Sequence, residues 1–552
     1  MMCSFDNALK AFGDGLQRHR SAKARHHNSL LPISHLPNDL LVEIFTLACG
    51  KSWIKRSSRG GRTGMRMLAM FVSVCYEWRE IVHSTPSLWA YIWSDHHEKT
   101  TIECLARSDQ VPLHISLDFD DGISRESWKR IFQEVHRWKS VELSYMTIKL
   151  LKQLEKCPAP LLERLDVKED REYTEALNLF CGSVSRLRHL ALLNIKIPWD
   201  SNLLSHLTTL DINNSYAHDL SAQQVVQILQ SCPDLASFKL FLPPSLHPGP
   251  IQVEFSTVEL PRLERLYVRV HPLMIEHLLL RMRIPSCKSF DVDHAEATSP
   301  TFSAAMDHLK PSLSSILLTA SRVTIGIRST GLEYEATPKI NEDDDDEEEE
   351  VGRLLQRIRI RVSGNRFTDG FALETLSWLL DNIHTPSFSS PISLHILELA
   401  SSPPLTLIIN QLSPVITYLN LELSGASAKT IVSYLAEPFK VVIDETTTLR
   451  WSLPNLTDLS FEGCNDLKPE VILRCVQRRA GRGLPLEGSR EQLPARLTRL
   501  RLPHGSSIVG LKREFPDCME WCGLELEGDS QSDLGCGLQA AAGGGPARRT
   551  KI

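Results

Sequence analysis

A six-residue unit with apolar residues at its first, fourth and sixth positions recurs along this chain, and it limits the fold more than any other feature. It occurs as WKSVEL (Trp138, Val141, Leu143), LERLDV (Leu162, Leu165, Val167), LRHLAL (Leu187, Leu190, Leu192), LTTLDI (Leu207, Leu210, Ile212), LASFKL (Leu235, Phe238, Leu240) and LERLYV (Leu263, Leu266, Val268). The fourth and sixth positions lie two residues apart, so on an extended strand they point to one face while the fifth points to the other. Weaker copies follow at CKSFDV (Cys287, Phe290, Val292) and LSSILL (Leu313, Ile316, Leu318).

Successive copies step by roughly 20 to 28 residues, which is the period of leucine-rich repeats. Helix-period segments such as SAQQVVQILQSCP and HPLMIEHLLLRM fall between them, so each unit pairs a strand with a helix. One such unit cannot cover its own apolar face, and stacked neighbours supply the missing core. The register resumes at LQRIRI, LHILEL, ITYLNL, LTDLSF and LTRLRL, with GFALETLSWLLDNI and AKTIVSYLAEPF as helical fillers. Steps near 40 residues in that half imply insertions or degenerate copies. The expectation is an irregular solenoid of alternating strands and helices.

The chain has 552 residues, 42% of them apolar and 23% charged, enough material for a large buried core. Its formal charge of -6 is dominated by nine consecutive carboxylates, Glu342 to Glu350, without which the balance is about +3. No global field selects nucleic acid or an acidic membrane. The nine carboxylates cannot be buried together, so they belong to a solvated, disordered insertion at about residues 336–351. Basic residues cluster near the front, in LQRHRSAKARHH and KSWIKRSSRGGR, and read as solvated arms. Thirteen dispersed cysteines and the absence of an apolar leader segment imply a reducing compartment, cytoplasmic or nuclear. No run approaches the roughly 18 apolar residues of a membrane span, so no membrane is expected as a partner.

Ahead of the repeating units lies a compact helical block. In HLPNDLLVEIF a proline sits where a helix start tolerates its missing N–H, with Asn38 and Asp39 near the positive end of the dipole. Leu40, Leu41, Ile44 and Phe45 then recur at helical spacing. A basic, glycine-rich loop precedes a second amphipathic element, LAMFVSVCYEWREIV, and STPSLWAYIW closes the block. So small a block with so many large apolar groups leaves some of them for a partner.

The order LPNDLLVEIF, VSVCYEWREIV, PSLWAYI resembles the F-box, the three-helix module that attaches substrate receptors to the Skp adaptor of SCF-type cullin-RING ubiquitin ligases. The matching residues are Leu36, Pro37, Leu40, Glu43, Ile44 and Phe45, then Val74, Cys75, Trp78 and Arg79, then Leu88 and Trp89. The resemblance implies adaptor contact by Leu36, Pro37, Leu40, Leu41, Ile44 and Phe45. It implies packing of the module by Val74, Cys75, Trp78, Leu88 and Trp89. One departure is the loop from Gly50 to Arg66, longer and more basic than the family's short connection. The whole arrangement, with VPLHISL after the block, also looks like the large F-box families of mushroom-forming fungi. LTDLSFEGCNDL resembles a cysteine-containing repeat subtype, which places Cys464 where an Asn or Cys satisfies backbone groups inside a turn.

The expected organisation is therefore a flexible basic arm over residues 1–29, with a short helix in FDNALKAF, an F-box over 30–95, a leucine-rich-repeat-like solenoid over 105–525 and a disordered tail over 526–552. Catalytic, metal and cofactor sites are not expected. Cys518 and Cys522 lack a partnered Cys/His pair at zinc-finger spacing, and His26–His27 and His96–His97 fall in polar stretches. No phosphate-binding loop, nucleophile elbow or dinucleotide fingerprint is present. The expected function is substrate recognition in a ubiquitin ligase. The Skp adaptor, and through it a cullin, would be held by the front block, with a protein substrate on the repeats. The alternative is a protein-binding repeat scaffold outside any ligase.

Overall fold

A computed structural model describes residues 2–54, 60–94, 96–171, 175–214, 220–243, 257–295, 304–305, 307–313, 322–328, 331–337, 357–363, 392–397, 416–423, 425–443, 446–461, 464, 467–480, 494–495, 497–501 and 525–527. The chain divides into two compact units, Met1–Cys287 and Lys288–Ile552.

The first unit opens on helices α1 (Met2–Ser29), α2 (Asn38–Ile54), α3 (Gly60–Val74) and α4 (Tyr76–Ser84). The carbonyl of Pro37 accepts the amides of Leu40 and Leu41 at 3.1 and 3.2 Å, so α2 starts directly behind the proline. Cys75 ends α3 and caps α4, its sulfur accepting the Trp78 amide at 3.4 Å.

Strands follow at β1 (Tyr91–Trp93), β2 (Leu113–Asp118), β3 (Trp138–Ser144), β4 (Arg164–Lys168), β5 (His189–Leu193), β6 (Thr209–Asn213), β7 (Ser237–Phe241), β8 (Val258–Glu259), β9 (Arg265–Val270) and β10 (Met282–Arg283). From β1 to β7 each pairs in parallel with the next, β7 pairs with β9, and β8 and β10 form a separate parallel pair. Parallel pairing demands a crossover between strands. Here these are α5 (Glu98–Arg107), α6 (Arg125–Gln133), α7 (Ile148–Leu154), 3-10 turns at Leu179–Gly182 and Asn202–Leu204, and α8 (Ala222–Gln230). Helix α9 (Pro272–Arg281) follows β9.

Register makes the core. Ile115, Val141, Leu165, Leu190, Leu210, Phe238 and Leu266 align across seven strands, and Leu117, Leu143, Val167, Leu192, Ile212, Leu240 and Val268 form a second row two residues on. All fourteen are at most 3% exposed. Each contributes about 1.5–3 kcal/mol of burial, and a one-residue slip would turn a whole strand's share outward. Ahead of the strands, amides of Glu163, Arg188, Thr208, Ala236 and Glu264 donate to the carbonyls of Lys139, Glu163, Arg188, Thr208 and Ala236 at 2.7–2.9 Å, so the pairing begins before the strands do.

The second unit contains β11 (Ser289–Ala295), β12 (Arg322–Arg328), β13 (Gly331–Thr337), β14 (Arg357–Ser363), β15 (Ile392–Leu397), β16 (Ile416–Glu422), the hairpin β17 (Phe439–Ile443) and β18 (Thr446–Arg450), β19 (Asp458–Ser460), β20 (Arg499–Arg501) and β21 (Glu525–Glu527). Nine of these pair in the order β11-β14-β13-β12-β15-β16-β19-β20-β21. Strand β13 runs antiparallel to both neighbours, and every other pair in this sheet is parallel. Helices α10 (Gly425–Leu435) and α11 (Pro469–Arg479) fill the longer crossovers. Cys464 is fully buried; its thiol donates to the Leu421 carbonyl at 3.1 Å and its sulfur accepts the Leu423 amide at 3.4 Å.

These observations correct the expected fold class. The chain is of α/β type, with large, mostly parallel sheets and helices, and not a three-helix F-box followed by a leucine-rich-repeat solenoid. Four described helices precede β1, and the crossovers are helix, 3-10 turn or short strand in no fixed alternation. The antiparallel β13 interrupts the second sheet. The six-residue unit specifies a strand and its buried face, but the segment between two strands is free to close in several ways. Leu313, the first residue of the LSSILL unit, ends a helical stretch over residues 307–313, and Ile316 and Leu318 lie outside the described residues. Residues 2–29 form one helix where a flexible arm with a short helix was expected. The acidic run 342–350 and the tail beyond residue 527 lie outside the described residues.

Candidate partner-docking surface

Helices α2, α3 and α4 meet around three rings. Phe45 stacks on Phe71 with centroids 4.5 Å apart, and Trp78 meets Phe45 edge-on at 4.8 Å and Phe71 at 5.9 Å. Leu41, Cys49, Leu68, Ile81 and Val82 are buried with them. Aromatic pairs of this geometry add about 0.5–1.5 kcal/mol each beyond their buried area. Leu88 and Trp89 close the bottom: the Trp89 indole donates to the Val82 carbonyl at 2.8 Å, stacked by His83 and capped by the Arg107 guanidinium at 4.9 Å.

The sequence-derived contact residues therefore divide. Leu41 and Phe45 are 4% and 0% exposed and belong to the helical core, so they are unavailable to a partner without unfolding. Leu40 and Ile44 are 46% and 43% exposed, and Leu47 continues their stripe at 65%. Spacings of four and three residues place these side chains on one helix face. Pro37 is exposed beside them and Leu36 is half-buried. Of the packing residues, Leu88 and Trp89 are buried, and Trp78 and Cys75 are half-buried. Val74 does not pack as expected: it is 56% exposed as the last residue of α3.

Further large apolar side chains are exposed on α3 and at the start of α4. Met70 precedes Val74 by one helical turn and is 51% exposed, and Tyr76 is 47% exposed. The Arg25 guanidinium of α1 lies 4.7 Å from the Tyr76 ring centre. The helical spacing of Leu40, Leu41, Ile44 and Phe45 continues to Leu47 and Ala48 in the sequence, although Leu47 is not among the residues the resemblance assigns to contact. Met70 could not be found from spacing, since α3 is apolar nearly all round in LAMFVSV. Among the described residues, eleven of the thirteen exposed large apolar side chains lie between Phe12 and Tyr76, against two in the remainder of the chain, Tyr145 and Leu273. The exposed apolar surface is thus concentrated on one stretch of sequence.

The outward face of the first unit's sheet is different in kind. It carries Ser116, Glu142, Asp166, Ala191, Asp211, Lys239 and Tyr267 in one register row. Its charges neutralise one another: Lys168 meets Glu142 at 2.5 Å and Asp166 at 3.8 Å, Arg164 meets Asp166 at 3.9 Å, and Lys239 meets Asp211 at 3.2 Å.

Chemistry beyond docking has little footing. No group of three His, Cys, Asp or Glu side chains able to hold a metal occurs among the described residues. Burial raises the thiols of Cys75, Cys104, Cys232, Cys464 and Cys475 above the ordinary range, which keeps them protonated and unreactive. His26, His27 and His97 are exposed as expected, whereas His96 is largely buried, neither ring nitrogen has a hydrogen-bond partner, and desolvation lowers it to about 4. Cys518 and Cys522 lie outside the described residues. No described helix is long and apolar enough to cross a membrane. No protein-family model matches the chain, and no curated protein matches it.

Proposed function

We propose that this chain is a substrate-recognition subunit of an SCF-type cullin-RING ubiquitin ligase. Its helices α2–α4 dock on the Skp adaptor, which links it to a cullin, and its sheets hold a protein substrate. The observation that carries this reading is the exposed stripe of Leu40, Ile44 and Leu47, which rises from a core already closed by Leu41, Phe45, Phe71 and Trp78. A small domain that has filled its core and still presents large aliphatic side chains in register is displaying a docking face. The F-box-like order of residues, from Leu36 and Pro37 to Leu88 and Trp89, supports the adaptor as the occupant.

In this role the chain is not an enzyme. The transfer chemistry belongs to the charged conjugating enzyme and the RING subunit, and the receptor contributes proximity by holding a substrate lysine near the thioester. The site of action is cytoplasmic or nuclear. Co-purification of the full chain with the Skp adaptor tests the reading. A stoichiometric complex is the expected result; no complex would reject the ligase role and leave a protein-binding scaffold.

A further inference from the structure

Helix α1 carries Arg18, Arg20, Lys23 and Arg25 within two turns, all exposed. None of Arg18, Arg20 and Lys23 forms an ion pair among the described residues. This is unlike the cations of the first sheet, where Lys168, Arg164 and Lys239 each have a carboxylate. Arg25 is seated on Tyr76, two residues beyond the exposed Val74, so the basic half of α1 is attached to the docking helices. At 1.5 Å per residue, Arg18 lies about 10 Å along the helix from Arg25, about one Debye length at moderate salt. Three exposed cations without an ion pair among the described residues, and a fourth seated on Tyr76, thus lie on a helix joined to the start of α4, two residues beyond the exposed Val74.

We propose that the basic half of α1 is an electrostatic extension of the same docking surface, and that the protein partner presents an acidic patch beside the apolar groove that takes Leu40, Ile44 and Leu47. The inference rests on the docking function proposed above. A protein surface fits better than a lipid one because apolar and basic groups are separated along α1. The exposed Phe12 and Leu16 precede the cations, whereas a membrane-surface helix carries both along its whole length. Charges at the rim of an apolar contact act chiefly on the association rate, by steering the encounter, and leave the dissociation rate to the apolar anchors.

The test is stopped-flow association of the full chain with the Skp adaptor at low and high salt, comparing the parent with Arg18→Glu/Arg20→Glu/Lys23→Glu and with the milder Gln triple variant. The expected result is an association rate lowered about tenfold or more by the Glu variant at low salt, a smaller loss for Gln, and convergence at high salt. Dissociation rates should stay within about twofold. Equal association rates and equal salt slopes in all three proteins would overturn the proposal while leaving the docking function standing. So would unchanged adaptor rates combined with binding to phosphatidylserine-containing vesicles that the Glu variant loses, which would assign the cations to lipid. Absence of adaptor binding at every salt concentration would overturn both.

Discussion

The front helices and the first unit's sheet are built from similar apolar residues and end up with opposite surfaces. In the sheet, both inward rows from β2 to β9 are sealed, and the outward face is a lattice of small polar groups and mutually paired charges. In the helices the core is equally tight around Phe45, yet Leu40, Ile44, Leu47, Met70 and Val74 remain in solvent. The difference follows from the geometry of the two kinds of element. Strands alternate, so a strand with one apolar face has no further apolar side chains to expose, whereas a helix can carry a second apolar stripe about a quarter-turn from the first. Such a stripe adds little to folding, and large exposed apolar patches are the kind of surface that mark interaction sites.

Substitutions can break this comparison at its strongest point. Phe45→Ala in the helical core and Phe238→Ala in the sheet core should each cost about 3–5 kcal/mol, read as a lowered denaturation midpoint. Leu40→Ala should stay within about 0.5 kcal/mol of the parent. If Leu40→Ala proved as costly as Phe45→Ala, the stripe would be core and the contrast would vanish.

Acid should sharpen the contrast next. His96 is held neutral by burial at about 4, against about 6.5 in an unfolded chain. Because the folded value is the lower one, the unfolded state takes up the proton first. Stability is unaffected above about pH 6.5, then falls as pH drops toward 4, by about 3 kcal/mol in total. His96→Phe should flatten that part of the pH–stability curve measured by thermal unfolding; an unchanged slope would place the acid sensitivity elsewhere. A smaller effect is expected at Cys464, whose replacement by Ala strands the Leu421 carbonyl and the Leu423 amide and should cost about 1–3 kcal/mol. Smallest is the outward face of the sheet: Lys239→Ala removes one half-exposed ion pair with Asp211, and a double-mutant cycle should return about 0.2–1 kcal/mol.

Much of the strand layout was legible because a period of two with Leu at fixed positions leaves one choice of buried face. The helix start behind Pro37 was legible for a similarly local reason. What the sequence concealed was non-local. The segment from Arg322 to Thr337 alternates like any strand pair, and only its partners decide that β13 enters the sheet antiparallel between β12 and β14. At the candidate site, motif order assigned contact to Leu41 and Phe45 and packing to Val74. Leu40 and Leu41 are equally apolar neighbours about 100° apart on the helix, and only the packing of the other helices, which the sequence does not show, decides which of them is covered. His96 was misjudged from its polar surroundings because the sequence does not show what packs over it.

The proposed docking function requires that folding and docking use different residues of the same helix. Its most direct test is a binding titration of the full chain against the Skp adaptor for the parent and for Leu40→Ala/Ile44→Ala/Leu47→Ala, with denaturation midpoints measured on the same samples. Binding weakened by at least about 30-fold, on the order of 2 kcal/mol, with the midpoint unchanged is the expected result. Unaltered affinity, or a loss of affinity that tracks a loss of stability, would contradict it.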